Sequence, residues 1–242
     1  MHGSVRPTMR PLFVAQLVAT LCLCMALDCH ASSLAKDYLV PVEKAVGSRA
    51  AYERLVEQKL LVTPGDVARF VGLPGTVGVE TTVSLYRAPG KKDSLAGNYW
   101  ITATQASEQL WNCIAPDAEK KIDPKTIRVV RCDAPIAEST ALAARNVWLA
   151  MLSRSRSRRN VNEIVVDSSR EIFSATNSRG RMLQGESSTG PKENTKALLN
   201  IALSLLEYCG TPVDQRATVG RNIEKAASNL LARVGATSGR KK

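Results

Sequence analysis

The chain has 242 residues, 33 Lys and Arg against 22 Asp and Glu, a formal net charge of +11, and 44% hydrophobic residues. That is the composition of a globular protein of one or two domains with a core of its own, not of a fibre or a disordered chain. The two histidines, His2 and His30, both lie in the first 31 residues. The remainder therefore lacks the imidazole that Ser-His-Asp or Cys-His catalysis needs, and it cannot make histidine-ligated zinc. It also contains neither a GxxxxGK[ST] phosphate loop nor a GxGxxG dinucleotide turn.

Residues 1–31 read as a secretory signal peptide. Arg6 and Arg10 precede an uncharged, largely apolar stretch from Leu12 to Leu27, and Cys29-His30-Ala31 places small residues for cleavage after Ala31. The apolar stretch is shorter than the roughly 20 residues a spanning helix requires, and Asp28 closes it. Leu21, Leu23 and Asp28 stand before Cys22, Cys24 and Cys29, which is not a lipoprotein pattern, and no Asn-x-Ser/Thr acceptor occurs. The expected address is the periplasm or the exterior, with no membrane span once the leader is cleaved. Cleavage removes two arginines and one aspartate and leaves the mature chain, 32–242, basic. Export argues against nucleic acid as the partner of this charge, and favours an anionic envelope component or an acidic protein.

The first mature segment, 34–61, reads as helical after Pro41, with Val42, Ala45, Val46, Leu55, Val56 and Leu60 inward. Thr63-Pro64-Gly65-Asp66 is turn chemistry and opens a β-rich region. Strands are expected over 67–71, 79–87 and 98–104, with one helical turn at 107–111 and a fourth strand running from Thr126 to Cys132. A helix follows over 135–152, then a three-strand meander: 163–167, 170–176 and 181–186. Two amphipathic helices close the chain. Leu198, Ile201, Ala202, Leu205, Leu206 and Cys209 form the stripe of the first, and Gly210 and Pro212 end it. Val219, Ile223, Ala226, Ala227, Leu230, Leu231 and Val234 form the stripe of the second, and the basic tail 236–242 is flexible. The fold class is α+β: an antiparallel β-rich N-terminal half, then a helix–three-strand meander–two-helix C-terminal half. The seam at Ala134-Pro135 divides candidate lobes 34–134 and 135–235, or two halves of one domain.

Three cysteines remain after the leader. Cys113 and Cys132 flank a short polar stretch, and in an oxidising compartment they are expected to pair, closing a loop that contributes about 3 kcal/mol. Cys209, on its helix stripe, reads as a buried inert thiol. The Ser-Arg tract 153–159 makes Arg154, Arg156, Arg158 and Arg159 the candidate contacts for an anionic partner, against the plainer role of a basic helix exit. No catalytic, cofactor or metal residue is assigned. Tyr99, Trp100 and Trp111 are rings that could stack on a sugar, but Tyr99 and Trp100 point to opposite faces of one strand, Trp111 and Trp148 read as core, and the plain packing reading is preferred. The function expected is that of an exported, non-enzymatic binding or interaction protein without a cofactor, an inhibitor or immunity-type protein being one version. The alternative is a hydrolase of cell-wall polysaccharide using two carboxylates drawn from Glu80, Glu108, Glu138, Asp167, Glu171 and Glu186.

Overall fold

The computed structural model describes residues 37–61, 65–75, 77–88, 99–115, 122–156, 169–187 and 193–236. The elements in chain order are α1 (Gly47–Leu60), β1 (Asp66–Leu73), β2 (Thr81–Arg87), β3 (Tyr99–Ala106), β4 (Val129–Ile136), α2 (Glu138–Leu152), β5 (Arg170–Thr176), β6 (Met182–Ser187), α3 (Glu193–Gly210) and α4 (Val213–Ala236). Short 3-10 turns at Leu110–Cys113 and Pro124–Thr126 lie between β3 and β4. The fold is α+β, built on one six-stranded sheet in the order β4-β3-β2-β1-β5-β6, with every neighbouring pair antiparallel. β1 from the first half of the chain pairs with β5 from the second. The Ala134-Pro135 seam lies within β4.

Strand alternation sends two kinds of side chain to the two faces. One face carries Ala68, Phe70, Val83, Leu85, Ile101, Ala103, Ala134, Ile136, Phe173 and Ala175, all buried. The apolar stripes of α2 and α3 cover it, and the stripe of α4 packs on those two helices. Trp148 of α2 is fully buried there and meets Phe173 edge-on, with ring centroids 5.7 Å apart. α2 and α4 approach closely at Gly220, where an added Cβ would stand 3.1 Å from Thr140 Oγ1. Burying the side chains of this face takes apolar surface out of water, at about 25 cal/mol per Å², and is the main force holding the sheet to its helices.

α1 lies on the opposite face, over one end only. Tyr52, Leu55, Val56 and Leu60 pack on Leu73, Ala106, Leu110 and Ile127 as a second, smaller core. A helix leaves its last carbonyls unpaired, and here the Leu60 carbonyl accepts from Thr104 Oγ1 at 3.1 Å, while Thr82 and Thr104 share a hydrogen bond of 2.6 Å.

Several expectations are corrected. α1 starts at Gly47, not soon after Pro41; Gly47 has φ 58°, a left-handed conformation that glycine supplies at the turn into the helix. Val46 is consequently outside the helix and exposed. β4 begins three residues later than expected and runs on through Pro135. Ala226 faces solvent, because α4 buries only Gly220, Ile223, Ala227, Leu230 and Val234. Of the meander, β5 and β6 are present, and the strand expected at 163–167 lies outside the described residues, as does the tail beyond 236.

The disulfide is the largest correction. Cys132 is bonded to Cys209, and Cys113 is free. β4 alternation directs Cys132 to the helical face, where α3 brings Cys209 to a Cα–Cα distance of 5.9 Å, within the range a disulfide spans. Cys113 sits in the 3-10 turn at the edge of the α1 core, on the other face. Nearness in sequence suggested the wrong pair because the sheet separates the two thiols. Burial pushes the Cys113 thiol pKa up, and the nearby Glu80 carboxylate adds to this.

Candidate binding face

The end of the second face that no described helix covers is polar from edge to edge. Cross-strand pairing aligns Gln184 of β6, Ser174 of β5, Arg69 of β1, Ser84 of β2, Thr102 of β3 and Asp133 of β4 in one row. At the usual strand spacing that row extends about 24 Å. Side-chain hydrogen bonds stitch it together. Thr102 Oγ1 donates to Asp133 Oδ1 at 2.5 Å, and Arg131 holds the same carboxylate with bonds of 2.7 and 3.0 Å. The Arg131 guanidinium keeps the Asp133 carboxyl below the usual carboxylate range.

A second row lies one pleat away: Asp66, Tyr86, Trp100 and Pro135. A β-bulge between Asp66 and Ala68 brings Asp66 into it, since strict alternation would have turned this carboxylate toward the helices. Arg69 bonds to Asp66, and Ser84 Oγ donates to it at 3.1 Å. Both residues act on Oδ2; Oδ1 is buried and accepts no hydrogen bond among the described residues. Burial raises the Asp66 pKa against the opposing pull of Arg69. Tyr86 and Trp100 are half-buried neighbours across β2 and β3, two amphipathic rings beside the polar row. Tyr99, as expected of its neighbour position, is on the helical side, where its hydroxyl accepts from Arg87 Nε at 2.9 Å.

At the β6 end the row opens into a hollow of about 500 Å³, lined by Gln184, the segment 42–45, and Ala50, Glu53, Arg54 and Glu57 of α1. Glu53, one of its lining residues, belongs to an ion-pair cluster. Arg170 bridges Glu53, at 2.7 Å, and Glu186, and Arg49 bonds Glu53 at 3.1 Å. These charges fasten α1 to β5 and β6.

The carboxylates singled out from sequence are scattered. Glu80 is fully buried and accepts from Tyr52 Oη at 2.7 Å, Leu110 N at 2.9 Å and Trp111 N at 3.3 Å, so it joins α1 to the 3-10 turn. Burial and this carboxylate push the Tyr52 phenol well above its ordinary range. Glu186 belongs to the ion-pair cluster, Glu108 and Glu138 are exposed, and Asp167 lies outside the described residues. Glu171 alternates with Phe173 on the helical face, where burial raises its pKa although Ser169 Oγ donates to it at 2.7 Å. Asp66 and Glu171, two carboxyls raised by burial, thus stand on opposite sides of the sheet and cannot flank one bond. Among the described residues no group of His, Cys, Asp and Glu is placed to hold a metal ion, and no helix is long and apolar enough to cross a membrane.

Of the Ser-Arg tract, Arg154 and Arg156 are described. Arg154 donates to the Val234 carbonyl in the last turn of α4, the favoured place for a cation. The Arg156 backbone donates to Leu39 O at 3.1 Å, and its guanidinium lies 5.7 Å from the centre of the Tyr38 ring. Both fasten the α2 exit to other parts of the chain. Arg158 and Arg159 lie outside the described residues. Neither the polar row nor the aromatic pair was found from sequence, because their members come from separate strands and meet only through register. Comparison of the chain with protein-family models, curated proteins and solved structures finds no match.

Proposed function

We propose that this chain is an exported, non-enzymatic binding protein whose polar sheet face receives a strand of an anionic envelope glycan. The observation that carries this reading is the polar row from Gln184 to Asp133, exposed at its two ends and half-buried at Arg69, with Tyr86 and Trp100 alongside. Sugar hydroxyls need donors and acceptors, and sugar ring faces need an amphipathic aromatic surface; the exposed Gln184 and Asp133, the half-buried Arg69, and the half-buried rings of Tyr86 and Trp100 supply them, while Ser174, Ser84 and Thr102 are buried within the row. The basic net charge, which the 32–242 chain keeps once the leader is removed, supports an anionic polymer over a neutral one, acting through the long-range field more than through direct contacts. The Cys132–Cys209 bond supports an oxidising compartment, where such bonds persist.

The test is co-sedimentation with purified peptidoglycan. The protein should pellet with it, less so at high salt, and Trp100→Ala should weaken binding about tenfold through loss of the stacking ring. A protein that stays in the supernatant at low salt, or a Trp100→Ala variant that binds as the unaltered chain does, would refute the reading.

A further inference from the structure

The sheet has two edges, and they are treated differently. The β6 edge is closed by the chain itself: Val40 N donates to Glu186 O at 2.9 Å and Glu186 N to Val40 O at 2.7 Å. The β4 edge has no such cover among the described residues. Which of its backbone groups point outward follows from two bonds at its start. Arg128 O accepts from Ser107 N at 2.8 Å, and Arg128 N donates to Ser107 Oγ at 3.1 Å, so the main chain of Arg128 faces β3. Along a strand this direction alternates. Val130, Cys132, Ala134 and Ile136 therefore face β3, and Val129, Arg131, Asp133 and Pro135 face outward. The proline fits this assignment, because its missing N–H falls where β3 needs no donor.

We infer that the β4 edge pairs antiparallel with β4 of a second copy of this chain, about a two-fold axis at Cys132. The charges select the register. With the axis at Cys132, Arg131 stands opposite the partner's Asp133, and Asp133 opposite the partner's Arg131. Moving the axis one residue either way sets arginine against arginine or aspartate against aspartate, which is unfavourable for directly opposed residues. In the selected register the N–H groups of Arg131 and Asp133 meet the carbonyls of the partner's Asp133 and Arg131. The Val129 N–H meets the carbonyl of the partner's Pro135, a residue that needs no acceptor in return. On the helical side Val130, 65% exposed, comes to lie beside the partner's Ala134. Charges of one sign on an edge repel a second copy and guard against it; Arg131 and Asp133 bond each other within one chain but stay more than a third exposed, and their alternation of sign is instead self-complementary across the edge. An edge of this length buries less than a standard interface, so the dimer is a weak one that forms at high protein concentration.

The experiment is sedimentation velocity over a concentration series reaching about 100 µM, on protein purified from cells expressing the full chain. The unaltered protein should pass from monomer to dimer. Arg131→Asp alone and Asp133→Arg alone should each weaken association about tenfold or more, and the two together should restore it. Hydrogen exchange at low and high concentration supplies a readout that needs no variant: the Val129, Arg131 and Asp133 amides should gain protection in the dimer, while those of Val130, Cys132 and Ala134 stay protected throughout. A protein that remains monomeric overturns the inference. So do single charge reversals without effect, a double variant that does not recover, or outward amides that exchange equally at both concentrations.

Discussion

Breaking the bond between Cys132 and Cys209 should cost the protein a large part of its stability. The cysteines are 77 residues apart, and in the chain-entropy treatment a loop of that size lowers the entropy of the unfolded chain by about 15 cal/mol/K, or about 4.5 kcal/mol at room temperature. Set against the 5–15 kcal/mol typical of a folded domain, that is roughly 30% of the total or more. With a urea dependence of about 2 kcal/mol/M, the unfolding midpoint should fall by about 2 M when the bond is reduced. Reduction of the unaltered chain is a cleaner perturbation than replacing both cysteines, because Cys209 is buried and its truncation would add a packing loss. Fluorescence of the buried Trp148 follows the transition. Cys113→Ala, tested without reductant, is the control and should move the midpoint by less than about 0.5 M. A reduced protein within that same margin of the oxidised one, or a Cys113→Ala variant destabilised as much as the reduced chain, would refute the reasoning.

Other predictions concern buried carboxyls. Glu80→Ala removes the acceptor for Tyr52 Oη and for the Leu110 and Trp111 amides, leaving buried donors unpaired at a cost of about 3 kcal/mol; differential scanning calorimetry should record a Tm lower by roughly 10 °C, and an unchanged Tm would disprove the anchoring role. Glu171 has its pKa raised by burial, so the folded chain holds its proton more tightly than the unfolded one. Its contribution to stability is full below the ordinary carboxylate pKa of about 4 and declines as pH rises toward the raised value. Urea midpoints across that window should fall less steeply with pH in Glu171→Gln than in the unaltered chain, and parallel curves would contradict the assignment.

The helices and central strands were legible because their signals are local. The stripe from Leu198 to Cys209 predicts the buried face of α3, and β5 matches its expected span to the residue. Where a single backbone residue decides the outcome, the pattern misled. Val42, Ala45 and Val46 suit a helix face, but the left-handed Gly47 starts the helix after them. The strand ending expected at Cys132 failed because Pro135 is tolerated at an outward-facing edge position. The polar row was illegible for a different reason. Ser84, Thr102 and Ser174 are unremarkable within their own strands, and only sheet order and register set them in line with Arg69.

The placement of the cysteines has a consequence for biogenesis. If the chain enters an oxidising compartment amino end first, Cys113 and Cys132 emerge close together, while Cys209 follows 77 residues after Cys132. An oxidase acting on the emerging polypeptide would meet the non-native pair first and would trap Cys132 before its partner arrives. Reaching the native bond then requires thiolate attack on that premature disulfide, a step that depends on thiolate fraction and access. The Cys113 thiol, held protonated by its surroundings once the chain has folded, is a poor nucleophile for the reverse exchange. Maturation would thus depend on an isomerase early and on the fold itself late, with Cys113 the residue whose removal should free secretion from that dependence.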